Sequence, residues 1–282
     1  MQKNAKSRRF LAAVDLDGTL FGPDGTVSPD NRAAIHTLQA RGFHVALASG
    51  RHPRNMVDIA AGLPDIEWLV GCQGCEVADA RRTRILLQDF LPADAVARWT
   101  EAGVARGFGV VAYTTEHEVT TCPGPEVDRY CSISHTRIEH VSEAVLRRER
   151  IFKLVWVGPE DRIDALIAGD GAVAVDPSGS TDTVRSHRYV FEFVPRGVTK
   201  GTGIARLAAE LGVPAAQAVG FGDADNDLPL FSWVAHSVAM PHAHAHVRAG
   251  ASRVAPAGPP ESAFARGVTS LLAEHAAAFT AA

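Results

Sequence analysis

The chain has 282 residues, 46% hydrophobic and 21% charged, with a formal net charge of -4. That composition supports a sizeable core and, at this length, more than one domain. It argues against nucleic acid as the main partner, which shows as a basic excess, and no apolar run reaches the roughly 18 residues of a membrane span.

Taken in chain order, the basic opening is followed by only a short apolar stretch, which does not read as a signal peptide. Residues 10–15 (Phe-Leu-Ala-Ala-Val-Asp) form a strand. Ser28 before Pro29 starts a helix, because proline at the first helical position loses no hydrogen bond; Ile35 and Leu38 fit its inner face and Gly42 its stop. A strand over 43–48, a helix from about Pro53 and a strand over 68–72 continue the pattern.

The character changes over 84–191. Helices over 93–106, 126–131, 142–148 and 160–167 are interleaved with strands over 108–114, 119–122, 151–157, 172–175 and 189–194, which predicts a mixed α+β insertion. Strand and helix alternation resumes near Val198. A helix over 199–211 ends at Gly212, then come a strand over 218–222, a short helix over 228–234, and strands over 236–240 and 252–255. The alanine-rich 275–282 is expected to fray. Strands alternating with helices at both ends imply an α/β, doubly wound parallel sheet, whose ligands sit beyond the carboxyl ends of its strands.

The chemistry-bearing residues fall at those ends. Asp15-Leu16-Asp17-Gly18-Thr19-Leu20 follows the first strand: one aspartate can attack a phosphoryl group, the second can pass a proton, and Gly18 allows a sharp turn. Ser49-Gly50-Arg51 follows the second strand as a hydroxyl and amide cradle for phosphate. Lys200 opens a helix and can neutralise anions. Gly222-Asp223-Ala224-Asp225-Asn226-Asp227 follows a later strand with carboxylates suited to Mg2+. Each alone has an ordinary alternative: an aspartate-glycine turn, a strand-end turn, a solvated lysine or a helix cap.

In this order the four pieces resemble the phosphatases of the haloacid dehalogenase superfamily, in particular the Cof-type branch. The resemblance extends over most of the chain. It takes in the stretch from Phe191 to Gly201, which looks like the return from cap to core, Ser237-Val238-Ala239-Met240, and the later segment 261–268. It implies a Rossmann-like core over 1–83 and 192–282 and a substrate-specificity cap over 84–191. It further implies Asp15 as nucleophile and metal ligand, and Asp17 as general acid/base and, through its carbonyl, metal ligand. Ser49 and Gly50 would bind phosphoryl oxygens, Asn226 would orient the phosphate side, and Lys200 would balance charge. Asp223 would be the acidic Mg2+ ligand, supported by Asp227. Dehalogenase members lack the second acid, so Asp17 points to phosphoryl transfer. A small-molecule phosphate ester is the implied partner, with no nucleic acid and no membrane. Arg185, His187 and Arg196 are candidate substrate contacts because they are polar and near the cap-to-core return.

Two places depart from the branch: Gln73-Gly74 where it shows Asn-Gly, and Pro241-His242-Ala243 where it shows Asn-Ala. Cys72-Gln73-Gly74-Cys75 has metal or redox spacing, but a structural zinc site needs four ligands, and two buried cysteines are expected instead. Four cysteines in all are too few for a disulfide scaffold, so a reducing, cytoplasmic setting is expected. His242, His244 and His246 are expected to be solvated or partly capping, and Arg81, Arg82 and Arg84 a solvated charge run. A phosphomutase and a non-catalytic phosphometabolite-binding protein are the rival readings, and monomer and homodimer both stay open.

Overall fold

The computed structural model describes residues 9–275 and 279, except 65, 135, 169–175 and 177. In chain order it runs β1 Phe10–Val14, α1 Pro29–Ala40, β2 Phe43–Ala48, α2 Pro53–Ala61, β3 Trp68–Gly71, β4 Glu76–Asp79 and β5 Ile85–Gln88. Next come α3 Ala93–Ala105, β6 Gly109–Tyr113, β7 Glu118–Thr120, α4 Pro125–Ser134, β8 Glu139–His140, α5 Glu143–Leu146, β9 Lys153–Val157, α6 Glu160–Ile167, β10 Thr181–His187 and β11 Val190–Pro195. The chain ends with α7 Lys200–Leu211, β12 Ala218–Gly222, α8 Leu228–Trp233, β13 His236–Ala239, α9 Ala245–Gly250, β14 Arg253–Val254 and α10 Ala263–Glu274. Two compact units result: Met1–Leu87 with Thr199–Ala282, and Gln88–Val198. Among the described residues no helix is long and apolar enough to cross a membrane.

The first unit is α/β. Its eight-stranded sheet has the order β14-β13-β12-β1-β2-β3-β4-β5. The strands from β14 through β3 pair in parallel, and β4 turns back antiparallel on β3. Every residue of β1 is buried, as a central parallel strand covered on both faces requires. Ala12 and Val14 point into one core with Ile35 and Leu38 of α1, Met56 of α2 and Phe264 of α10; Leu11 and Ala13 point into another with Ile204 and Leu207 of α7 and Leu230 of α8. The Ser28 side chain accepts from the Asn31 N–H, the expected cap of α1, a contact of about 1 kcal/mol.

The second unit is α+β. Its six-stranded sheet has the order β10-β11-β9-β6-β7-β8 and is antiparallel apart from β7 against β8. One face carries an aromatic core in which Trp99 stacks on Phe193 at 4.5 Å and Phe108 on Trp156 at 5.3 Å.

Three expectations change. β5 extends the first unit's sheet and β11 belongs to the second unit's sheet, so the units join at Leu87/Gln88 and Val198/Thr199, later than the expected joins at 83/84 and 191/192. β4 and β10 lie where no strand was expected, because Glu-Val-Ala-Asp and Thr-Asp-Thr-Val-Arg-Ser-His carry too many polar residues to show an apolar alternation. Arg82 is not solvated: its guanidinium forks onto Glu76 at 2.6 and 2.8 Å, with side-chain exposures of 10% and 1%. Arg84 pairs with Glu210 over the Trp68 ring. The strand expected over 172–175 lies outside the described residues.

Candidate active site

β1 stops at Val14, and the Asp15 N–H donates to Phe221 O of β12 at 3.1 Å, so Asp15 sits where the two central strands are last tied together. The chain leaves in one wide turn, closed by Leu20 N–H to Asp15 O at 3.2 Å and Phe21 N–H to Leu16 O at 2.8 Å. Buried Leu16 and Leu20 pin that turn to the core. Gly18 adopts φ +85°, and a Cβ on it would lie 2.3 Å from Asp223 Oδ2. Glycine is therefore required twice, for the backbone and for the space the carboxylate takes.

Lys200 reaches the same place from the first turn of α7. That turn is closed by Thr199, whose hydroxyl accepts from the Thr202 N–H at 3.1 Å while the Thr202 hydroxyl accepts from the Thr199 N–H at 2.9 Å. Lys200 Nζ donates to Asp15 Oδ1 at 2.6 Å and Asp227 Oδ1 at 2.7 Å. Asp227 Oδ2 in turn accepts the N–H groups of Asp223 and Ala224 at 2.9 and 3.1 Å. Burial pushes the Asp15 carboxyl well above the usual range; Lys200 opposes this, and Asp227 and Asp223 add to it. Burial also raises Asp227, against the pull of Lys200. Burial alone would lower Lys200, but Asp15 and Asp227 outweigh it and hold the ammonium well above the ordinary lysine value.

One ligand atom each from Asp15, Asp223 and Asp227 lies within 4.8 Å of the others. Three acids against one buried ammonium leave excess negative charge, the condition under which a hard divalent cation fits. Asp223 is also fixed by the Thr19 hydroxyl, which donates to its Oδ1 at 2.9 Å. With both Asp227 oxygens already accepting hydrogen bonds, that residue supports the cluster more than it offers a free ligand.

Ser49 is 2% exposed, and its hydroxyl accepts from the Arg51 N–H at 3.2 Å. Asn226 Nδ2 donates to Gln73 Oε1 at 3.1 Å. Asp17 does not stand beside Asp15 as a continued strand would place it; it lies in the turn, its side chain 55% exposed. Arg51 grips it through two bonds, Nε to Oδ2 at 2.7 Å and Nη2 to Oδ1 at 2.6 Å.

Thr19, Arg51 and Gln73 thus belong to the site though the sequence reading gave them no role. The first two were inside quoted motifs, and Gln73 was visible only as a departure from a pattern. His242 is exposed, as expected, with its Nε2 3.8 Å from Asp223 Oδ2, and that carboxylate raises the imidazole above its usual value. Likewise His246 engages Asp225 and its ring stacks on His244. Cys72 and Cys75 are buried thiols in no disulfide, as expected. Arg185, His187 and Arg196 fall in the second unit. There Arg185 pairs with Asp164 at 2.8 Å, Arg196 with Asp182 at 3.3 Å, and His187 Nδ1 accepts from the Tyr189 N–H at 3.4 Å.

Residues 12–258 match the haloacid dehalogenase-like hydrolase family. The chain belongs to that family. An HMP-PP phosphatase of Serratia proteamaculans is 29% identical over 83% of this chain and 84% of its own. A haloacid dehalogenase-like hydrolase of Bacillus subtilis superposes with a TM-score of 0.80 at 21% identity, covering 93% of this chain and 99% of that one. A structure described as a subclass IIB sugar phosphatase superposes with a TM-score of 0.79 at 18% identity, over 95% and 99%. Both structural likenesses establish the α/β core with its α+β insertion. The family match and the phosphatases among its relatives make the chain a phosphoric monoester hydrolase.

Proposed function

We propose that this phosphatase hydrolyses small phosphorylated metabolites, sugar phosphates or cofactor-precursor phosphates, in a magnesium-dependent reaction through an aspartyl phosphate on Asp15. The observation that carries the reading is the buried Asp15–Lys200–Asp227 chain with Asp223 beside it. Lys200 occupies Asp15 Oδ1, which leaves Oδ2 as the attacking oxygen. That oxygen bonds to phosphorus as the bond to the leaving oxygen breaks, and protonated Asp17 supplies the leaving group's proton. Asp17, now a carboxylate, takes a proton from water. The water oxygen bonds to phosphorus, the Asp15–phosphorus bond breaks, and inorganic phosphate leaves. The Arg51 fork holds Asp17 as the carboxylate and opens for the step in which Asp17 gives its proton, while Ser49, Gly50 and Asn226 hold the phosphoryl oxygens.

Asp15, Asp223 and the Asp17 carbonyl would hold Mg2+, with Asp227 acting through water. The bound ion would neutralise charge on the phosphoryl oxygens. The second unit serves as the cap over 88–198. Its Arg185, His187 and Arg196 are the candidate contacts to the leaving group, and closure keeps stray water from the acyl phosphate. HMP-PP and sugar phosphates, from the relatives' names, are the first substrates to try.

The test is phosphate release from a panel of phosphorylated metabolites, with magnesium and with chelator, for the wild type and Asp15→Asn. Release that needs magnesium and disappears in the variant is expected. Release that persists in Asp15→Asn would sink the aspartyl-phosphate route, and an isomerised sugar phosphate in place of free phosphate would make the enzyme a mutase.

A further inference from the structure

The turn after β3 is strained and central to the site. Cys72 and Gln73 both adopt left-handed backbone, φ +49° and φ +63°, which non-glycine residues occupy only where the surroundings force them. The surroundings here are the site's own loops. Cys72 N–H donates to Arg51 O at 2.9 Å and Gln73 N–H to Ser49 O at 3.1 Å, tying the turn to the phosphate cradle. A Cβ on Gly74 would lie 2.2 Å from Thr199 O, so the turn also abuts the residue just before Lys200.

The Gln73 side chain adds the third tie. It is 1% exposed. Its Oε1 accepts from Asn226 Nδ2 at 3.1 Å, and its Nε2 lies 2.6 Å from where a Cβ on Gly50 would be. The Gln73 amide therefore fills the space that glycine leaves open in the cradle and ends on Asn226. The other end of the Asn226 amide, Oδ1, is buried and has no hydrogen-bond partner among the described residues. A buried polar atom without a partner is costly and is expected to meet one in some working state.

We propose that Gln73 is a positioning residue that holds the Asn226 amide by one end and thereby aims its other end at the phosphoryl group. This rests on the phosphatase reading above. An amide pair can be joined in two senses: Asn226 Nδ2 to Gln73 Oε1, or, with both amides turned over, Gln73 Nε2 to Asn226 Oδ1. The second sense leaves Asn226 Nδ2 as the outward group, a donor that an anion can use. Phosphate binding favours that sense, and the amide at position 73 can support both because it accepts at one atom and donates at the other. A carboxylate there accepts but cannot donate, and a hydrocarbon does neither.

The experiment is a double-mutant cycle with Gln73→Leu, Asn226→Ala and the double variant in the full chain. It reads kcat/KM for p-nitrophenyl phosphate with magnesium and the inhibition constant of inorganic phosphate. Each single variant is expected to lose roughly ten- to a hundredfold in kcat/KM, as misplaced or missing donors do, and to weaken phosphate inhibition. The double variant is expected to match Asn226→Ala, because a positioning residue has nothing left to position. If Gln73→Leu costs as much in the Asn226→Ala background as alone, Gln73 only packs the core and the proposal fails. Should Gln73→Leu not fold, Gln73→Met, which keeps the length of the stem and loses both hydrogen-bonding groups, is run through the same cycle with the same two outcomes. A wild type that releases no phosphate from any ester defeats the phosphatase reading instead, which the cycle on an active enzyme does not touch.

Discussion

Each unit buries one lysine to 1% exposure, and the two lysines keep opposite company. Lys153 in the second unit meets Glu192 at 2.6 Å and lies over the Tyr113 ring at 4.3 Å; the Tyr113 and Tyr130 hydroxyls bond to each other, and Ser186 donates to Glu192. Glu192 is its direct opposite, and the buried Glu118 lies near enough to act on both tyrosines. Lys200 in the first unit is shared between Asp15 and Asp227, with Asp223 close behind. A buried ion pair tolerates desolvation when its partners meet directly and their remaining atoms are hydrogen-bonded, as Glu192 is by Ser186. The three-acid cluster of the first unit is the one proposed to take a cation and a phosphate.

The sharpest way to break that comparison is to neutralise one carboxylate in each set. Asp15→Asn removes the proposed nucleophile, so phosphate release should fall at least about 10³-fold, the scale for loss of a group that acts as part of a catalytic unit. Without added magnesium its stability should hold or rise, because the wild-type charge is one that burial and the neighbouring acids disfavour. Glu192→Gln should do the reverse to the fold. It removes the carboxylate that Lys153 donates to in the interior, at about 3–5 kcal/mol, read as a lower urea midpoint. Replacing both members with apolar residues, Lys153→Met with Glu192→Leu, should recover most of that loss. Equal destabilisation by Asp15→Asn and Glu192→Gln would remove the distinction between the two clusters.

The same contrast explains what could be read from the sequence. Asp15, Asp17, Ser49, Lys200 and Asp223 stood out because phosphoryl chemistry demands those residue types at strand ends, in an order that few other folds share. β1, β2 and α1 were plain because an apolar run and a Ser-Pro start are local signals. Lys153 and Glu192 carried no such signal, since 39 residues separate partners that only the β9–β11 register brings together. β4 hid behind its charges for the same reason: Glu76 is buried only because Arg82 comes back to it across a turn. His242 is exposed as its context suggested, but nothing local in the sequence reports that Asp223 lies within reach of it.

Alkaline pH offers a gentler probe of the second unit's cluster. Burial pushes the Tyr130 hydroxyl from 10.0 up to about 12, and burial with the nearby Tyr130 and Glu118 raises Tyr113 well above the same starting value. A folded state that keeps these protons longer than the unfolded chain binds more of them, so stability falls as pH rises. The contribution is whole below about pH 10 and is lost progressively from there through about 12. Urea midpoints taken across that range should therefore slope downward. Tyr130→Phe should flatten the slope while lowering the starting point, since it also gives up the bond to Tyr113. Lys200, whose ammonium Asp15 and Asp227 hold above its ordinary value, adds a slope of the same sign, so the part that Tyr130→Phe removes is the tyrosine pair's, and a variant curve that still falls as steeply as the wild type would place the source outside that pair.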